Sequence, residues 1–313
     1  MASVLFLAPA DLGETVLASG ALAMALRDGG ALTVVCAPEQ APLFRAAPGL
    51  RHVRQIGANA GIAQRWSAWM DLARQRFDLV INARGGFLGS ALPAVRRIAL
   101  KPPVVLRHRV EDWAEALGAE RGLEPKIWLD DAARAAAAEI APGASLLVLA
   151  PGGASEDKRW SRDRFAAVAR RLVDGPLTGA RVVVVGAAER DASITRAIVS
   201  SLDADGVPAH DLGAGLDLLA GAALIERATL CIGNDNVLSH LAAAMGAPTL
   251  TLFGPTDERV RAPFGPRTRT LRGKPLEEIA TMPSLDASAA MNDVSIDAVE
   301  AAALELLHAG GLR

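Results

Sequence analysis

Residues 229–257 read TLCIGNDNVLSHLAAAMGAPTLTLFGPTD, and the order of apolar, turn-forming and small residues in this stretch decides the fold. The apolar run 229–232 predicts a strand; Gly233, Asn234, Asp235 and Asn236 predict a tight turn. The small residues that follow predict a helix, which Gly246 stops, and 249–253 predicts a second strand ended by Gly254-Pro255. The result is a β-turn-α-turn-β unit. Its first turn lies at the carboxyl end of a strand and the amino end of a helix, where N–H groups and the helix dipole favour an anion. Asp235 and Asn236 suit two tasks there, capping the helix or hydrogen-bonding the hydroxyls of a bound sugar, and the sequence leaves both open.

The same alternation continues outward. In the first half, apolar runs at 3–8, 32–36, 53–56, 79–82 and 104–107 predict strands buried in a parallel sheet. Helices are expected over 14–26, 41–46 and 88–98, the last ended by the Pro102-Pro103 break. Trp66, Trp69, Met70, Ala73 and Phe77 recur at helical spacing, which predicts core side chains rather than a stacking platform. Between 111 and 143 the pattern loosens into charged helices, including the alanine-rich 132–140, and Pro142-Gly143 reads as a domain junction. Strands at 146–150, 181–186 and 210–212, with helices over 162–173, 191–202 and 216–227, then lead into the opening unit. A last helix, 296–308, has an apolar pattern that suits either half.

The expected fold class is therefore α/β, with two Rossmann-like doubly wound domains, residues 1–142 and 143–313, facing across a cleft. Ligands of such sheets bind outside the strand carboxyl ends, so 9–14, 84–86, 151–158 and 233–236 are the segments to watch.

Composition narrows the function. A chain of 313 residues with 51% hydrophobic content and a formal net charge of -2 carries no global signal for nucleic acid. Cys36 and Cys231 sit in apolar runs and read as buried hydrophobes, which fits a reducing cytoplasm. The first residues lack a signal-peptide pattern, and no apolar run reaches the roughly 18 residues of a spanning helix. Charge is uneven, however: between 40 and 110 twelve Arg or Lys face only Asp71 and Asp78. This basic run reads either as a solvated face or as a surface meeting an anionic acceptor or membrane leaflet.

Residues 151–160, PGGASEDKRW, follow a strand, and their glycines and Ser155 let backbone approach a phosphate that Lys158 would neutralise. The spacing is neither a Walker A loop nor GxGxxG. Glu14 opens the first helix, either as an acid favoured by the dipole or as a general base, and Asp11 competes for that role while also suiting an N-cap. Five scattered histidines lack metal-ligand spacing, and Asp203 and Asp205 form an Asp-x-Asp pair placed between a helix and a strand, away from the strand carboxyl ends. No metal or other cofactor is expected. Ser239 and His240 are neighbours on one helix, without a nucleophile elbow, so they do not suggest a catalytic triad.

Four stretches in order give the chain a resemblance to the bacterial lipopolysaccharide heptosyltransferases, enzymes of the two-domain GT-B glycosyltransferase fold. They are DLGETVLASGAL (11–22), PGGASEDKRWSRDRFAAVARRL (151–172), IGNDNVLSHLAAAMGAPTLTLFGPTD (232–257) and MNDVSIDAVEAAALELL (291–307). The resemblance implies an inverting, metal-independent transfer from a nucleotide-activated sugar, typically ADP-heptose, to an anionic lipid-linked saccharide of the lipopolysaccharide core. It places the acceptor on the first domain and the donor on the second, in the cytoplasm, with peripheral contact at the inner membrane.

Glu14 matches the family's catalytic Asp. Lys158, with Gly153 and Ser155, matches the diphosphate contact, Asp235 the acid on the donor sugar, Asn236 with Val237 the phosphate-binding helix start, and His240 the motif histidine, a structural or donor-side support rather than a base. Asp11, Arg84 and Arg107 are the acceptor-side candidates. The chain departs from the pattern at Glu14, one methylene longer than Asp, at Asn236 in place of Ser or Thr, and at Val237 in place of Gly. A same-fold transferase using another nucleotide sugar, or a non-catalytic paralogue that binds one, fits the same motifs.

Overall fold

The computed structural model describes residues 2–86, 89, 91–100, 105–141, 145–213, 217–281 and 290–309. It consists of two compact units, residues 1–130 and 131–313.

The first unit is built on a parallel sheet of β1 (Ser3–Leu7), β2 (Ala31–Cys36), β3 (Leu50–Gln55), β4 (Phe77–Asn82) and β5 (Ala94–Ala99). Their order is β3-β2-β1-β4-β5. Strands β1, β2 and β4 are apolar nearly throughout because the centre of a parallel sheet is covered on both faces. Helix α1 (Leu12–Leu26) returns the chain from β1 to β2, and α2 (Ile62–Ala73) from β3 to β4. Helix α3 (Arg109–Leu117) packs against α1 and ends at Gly118, whose φ of 75° is the left-handed conformation that glycine adopts at least cost.

The sheet of the second unit comprises β6 (Leu146–Ala150), β7 (Arg181–Val185), β8 (Ala209–Gly213), β9 (Leu230–Asn234), β10 (Thr249–Phe253) and β11 (Thr268–Arg272). All pairs are parallel, in the order β11-β10-β9-β6-β7-β8. Its helices are α4 (Asp131–Ile140), α5 (Arg162–Asp174), α6 (Ala192–Ala204), α7 (Leu218–Glu226), α8 (Val237–Ala244), the short α9 (Glu258–Arg261) and α10 (Leu276–Ala280), and α11 (Ile296–Ala309). Helix α11 packs against α5, β9, β10 and β11, which settles its place in this unit. Helix α4 packs on α7 through Ala133 and Ala137, so the units divide at Asp130, ahead of the expected junction at Pro142-Gly143, which lies outside the described residues.

Three expectations are corrected. Residues 94–99 form β5 rather than the end of a helix: Arg96 and Arg97 face solvent from an edge strand, and Leu88, Leu92, Val95 and Ile98 imitate a helical stripe. Residues 105–107 are not a strand, and 101–104 lie outside the described residues. In α2 the core is made by Ala68 and Leu72, whereas Trp66 is 54% and Met70 37% exposed. Strand β11 and helices α9 and α10 have no counterpart in the sequence reading, being short, half-exposed and rich in charge.

In both sheets the chain reverses direction of travel beside the first strand, between β1 and β4 and between β6 and β9. Such switch points splay the following loops apart and leave a crevice at the strand carboxyl ends. The loops there are 8–11 and 83–86 in the first unit, 151–161 and 235–236 in the second.

Candidate functional site

In the second unit the loops after β6 and β9 are tied together by Asn234. The expected turn begins two residues later than its sequence suggests, since Gly233 and Asn234 still belong to β9. Gly233 allows the close approach that follows: a Cβ there would lie 2.5 Å from Ser239 Oγ and 2.9 Å from Ala150 Cβ. Fully buried, Asn234 donates from Nδ2 to the Pro151 carbonyl (2.7 Å) and accepts at Oδ1 from the Trp160 amide (3.1 Å). Asn236 caps α8, its Oδ1 accepting from the Leu238 and Ser239 amides, while its Nδ2 donates to the carbonyls of Ala150 and Gly152, each at 2.9 Å. The capping role of Asn236 is therefore realised, and two amides of the helix start are satisfied from within.

Against this frame Lys158 Nζ donates to Asp235 Oδ2 at 2.9 Å, with both side chains largely buried. His240 Nε2 lies 3.9 Å from Asp235 Oδ1, beyond a direct hydrogen bond. Burial pushes the Asp235 carboxyl up, but His240 and Lys158 together pull it further down, leaving it well below the usual carboxylate range. His240 Nδ1 is buried with no hydrogen-bond partner among the described residues. Val237 is buried at the first turn of α8.

The loop 151–160 is held from beneath. Gly153 O accepts from Arg159 Nε (3.2 Å) and Nη2 (2.9 Å), and the Ser155 hydroxyl donates to Asp157. A Cβ on Gly152 would lie 2.6 Å from the Asp191 carboxylate, so a side chain there would displace it. Trp160 closes the loop: its indole donates to the Val294 carbonyl (2.8 Å) and meets Phe165 edge-on at 5.1 Å, which anchors the stretch 291–307 to the site.

In the first unit Asp11 is the N-cap of α1, its Oδ1 accepting from the Glu14 amide at 2.8 Å. Gln40, buried, braces the same turn by donating to the Pro9 carbonyl (2.7 Å) and the Thr15 hydroxyl (2.8 Å). The Glu14 carboxylate lies 3.2 Å from Arg109 Nε. Arg109 also reaches Asp112 at 3.1 Å, Asp112 reaches Arg107 at 2.6 Å, and Arg107 continues to Glu115. Arg107 is thus the outer arginine of a chain of alternating charges that runs from Glu115 to Glu14. Arg84 instead lines a cavity of about 360 Å³ with Arg65, walled by Leu7, Val35, Ile56 and Trp69.

Among the described residues there is no group of three or more His, Cys, Asp or Glu placed to hold a metal ion, and no helix long and apolar enough to cross a membrane. Cys36 and Cys231 are both fully buried.

Sequence reasoning brought Lys158, Gly153, Ser155, Asp235, Asn236, Val237 and His240 to one place, and Asp11 and Glu14 to another. It missed Asn234, Arg109 and Gln40. A fully buried amide beside two loops has a recognisable residue type, but nothing in the spacing distinguishes Asn234 from its neighbours. Arg109 meets Glu14 across ninety-five positions of chain, without any local pattern to announce it.

Two doubly wound parallel sheets, each with its polar residues gathered at the switch point, define an α/β protein of the GT-B glycosyltransferase fold. The chain belongs to glycosyltransferase family 9 (heptosyltransferase), whose model matches residues 95–288, more than half of it. Among curated proteins it is similar to lipopolysaccharide heptosyltransferase 1 of Pseudomonas aeruginosa, 33% identical over 128 residues, 41% of this chain and 34% of that protein. The chain matches about a third of the length of its curated relatives. Similar solved structures include E. coli ADP-heptose lps heptosyltransferase II, with TM-score 0.79 and 18% identity, covering 98% of this chain and 99% of that one. E. coli heptosyltransferase WaaC with ADP gives TM-score 0.74 and 18% identity, covering 97% and 99%.

Proposed function

We propose that this chain is an inverting glycosyltransferase that moves heptose from ADP-heptose to a lipopolysaccharide-core acceptor without a metal, at the cytoplasmic face of the membrane. The observation that carries the proposal is the Lys158–Asp235 pair, 2.9 Å apart where the loops after β6 and β9 meet. An ammonium has three N–H donors, so one bond to Asp235 leaves capacity for diphosphate oxygens. Charge that develops on the leaving diphosphate is then stabilised by a fixed cation in a partly water-excluded site. Asp235, held ionised, is an acceptor for sugar hydroxyls. Gly152 and Gly153 bring backbone close to the phosphates, and Asn234 fixes the loop that carries them. His240 supports Asp235 from below. ADP and ADP-heptose as ligands are supported by family membership, by a similar structure named as an ADP-heptose transferase and by another described with ADP.

On the first unit Glu14 serves as the base. Its carboxylate takes the proton of an acceptor hydroxyl as that oxygen forms a bond to the anomeric carbon and the bond to the diphosphate breaks. Arg109 orients it. Arg84 and Arg65, at the first-unit cavity, suit the anionic groups of the acceptor.

A second reading is favoured by Asn236 and Val237. The Asn236 side chain occupies two amides of the helix start, and Val237 adds a branched side chain beside them, which suits a module that binds a sugar nucleotide without turning it over. A thermal-shift panel of ADP, UDP, GDP and CMP, in EDTA and in magnesium, tests the proposal. Ligand at about 100 times its Kd adds about 2.7 kcal/mol of stability. Selective stabilisation by ADP in EDTA is expected, and loss of that shift in Lys158→Ala. Stabilisation by another nucleotide moves the donor, and a shift that requires magnesium contradicts the role given to Lys158.

A further inference from the structure

We infer that the outer face of α2 docks this chain on an anionic lipid surface. The inference rests on the proposed lipid-linked acceptor and names the surface that would meet the membrane. Successive residues of a helix advance by about 100°, so the apolar arc of α2 can be compared with the part that packs. Ala68 and Leu72 point into the unit, and Trp69 lines the cavity. The arc does not end there. Ile62, Trp66 and Met70, four residues apart, continue it as a row along the outer side, 88%, 54% and 37% exposed. Trp66 stacks on Trp69 at 5.1 Å with 22° between the rings, which covers one face of its indole and holds the half-exposed ring in place.

Single exposed apolar residues need no explanation; a contiguous row with a tryptophan at its centre does. Its charge surroundings select the occupant. Arg51, Arg54, Arg65, Arg74 and Arg76 are all exposed on β3, α2 and the turn after it, and the one acid of that segment, Asp71, is bridged by both Arg54 (2.9 Å) and Arg74 (3.5 Å). A second copy would bring the same cations and be repelled. A helix with Trp, Met and Ile exposed along one side, and exposed arginines on it, on the neighbouring strand and on the turn that follows, fits the headgroup region of an anionic bilayer, where indoles settle and guanidiniums meet phosphates. The inner face of the same helix walls the cavity lined by Arg65 and Arg84, so a lipid-held substrate would reach it without leaving the surface.

The test is co-sedimentation of the full chain with phosphatidylcholine vesicles, with and without phosphatidylglycerol, alongside a variant carrying Ile62→Ser, Trp66→Ser and Met70→Ser. Wild type should pellet with the phosphatidylglycerol vesicles and be released by salt. The variant should bind about tenfold or more weakly, equivalent to about 1.4 kcal/mol, with its melting temperature and ADP response unchanged. Trp66→Ser alone, less perturbing still, should lose part of the binding and the blue shift of fluorescence that vesicles induce.

Equal binding by wild type and variant, or no binding by wild type, overturns the inference. A wild-type dimer that the substitutions convert to monomer, without vesicle binding, assigns the face to a second copy instead. Vesicle binding that persists in a protein lacking ADP response or transfer counts against the proposed function and leaves the docking surface standing.

Discussion

Replacing Asn234 by leucine, close in volume and unable to hydrogen-bond, tests whether this amide holds the second-unit site together. Asn234 is fully buried and links Pro151 O at 2.7 Å to the Trp160 amide at 3.1 Å, so the substitution strands one buried carbonyl and one buried N–H. Each stranded group costs about 1–3 kcal/mol, hence about 2–6 kcal/mol in all. For a unit of this size about 1 kcal/mol moves Tm by about 2–4 °C, so a central value near 4 kcal/mol corresponds to a fall of about 8–16 °C. Differential scanning calorimetry reads this directly. A transition reporting the first unit should stay in place if the units unfold separately. Because Lys158 rides on the loop that Asn234 anchors, the ADP-induced shift should weaken even at temperatures where the variant is folded. A melting temperature within about 2 °C of wild type would refute the reasoning, since that corresponds to about 1 kcal/mol or less, too little for two stranded groups.

The Asp235 carboxyl lies below its ordinary value of 3.8 in the folded protein, so the stability it contributes is complete well above 3.8 and is lost progressively as pH falls from there towards the lower folded-state value. The difference in Tm between wild type and Asp235→Asn should therefore shrink as pH falls below about 3.8; a difference that does not change over that acid range would contradict the contacts that hold Asp235 ionised. Arg109→Met should lower kcat by up to about a hundredfold, since a displacement on the order of 1 Å is enough for that. KM for the donor should hold, and Arg109→Lys should recover part of the loss; an unchanged kcat would remove Arg109 from the site. Burial pushes both thiols up to about 12, so a thiol reagent at about pH 8 should label neither cysteine in the folded protein and both after unfolding. Rapid native labelling of either would contradict their placement.

Much of this architecture could be read from the chain because parallel strands buried on two faces are written as unbroken apolar runs. Residues 146–150 and 249–253 are the strands expected, to the residue, and the loops following β1, β6 and β9 carry the polar residues that a switch point requires. Edges are harder. Strand β5 presents Val95, Arg96 and Arg97 to solvent, so its sequence records only one buried position, Ile98, and its pattern reads as helix. In α2 the same ambiguity worked the other way: helical spacing of Trp66, Trp69 and Met70 established the helix but not which side of it is covered, because an apolar arc can be wider than the core it packs on.

The site divides similarly. Lys158 and Asp235 follow from chemistry placed at strand ends, whereas the clamp at Asn234 and the guanidinium on Glu14 depend on pairings across 74 to 95 positions that only the folded chain defines. The extra methylene of Glu14 acquires a context in this light. Its carboxylate is met by Arg109, which is tied in turn to buried Asp112, so the longer side chain is positioned by a partner.

The most direct test of the account is acceptor-dependent release of ADP from ADP-heptose in EDTA, by wild type and by Glu14→Gln, with ADP binding measured on both. The account predicts that wild type releases ADP only when a lipopolysaccharide-core acceptor is present, and that Glu14→Gln binds ADP normally while turnover falls by about 10²-fold or more. Binding of ADP by wild type without any acceptor-dependent release, or undiminished release by Glu14→Gln, would contradict it.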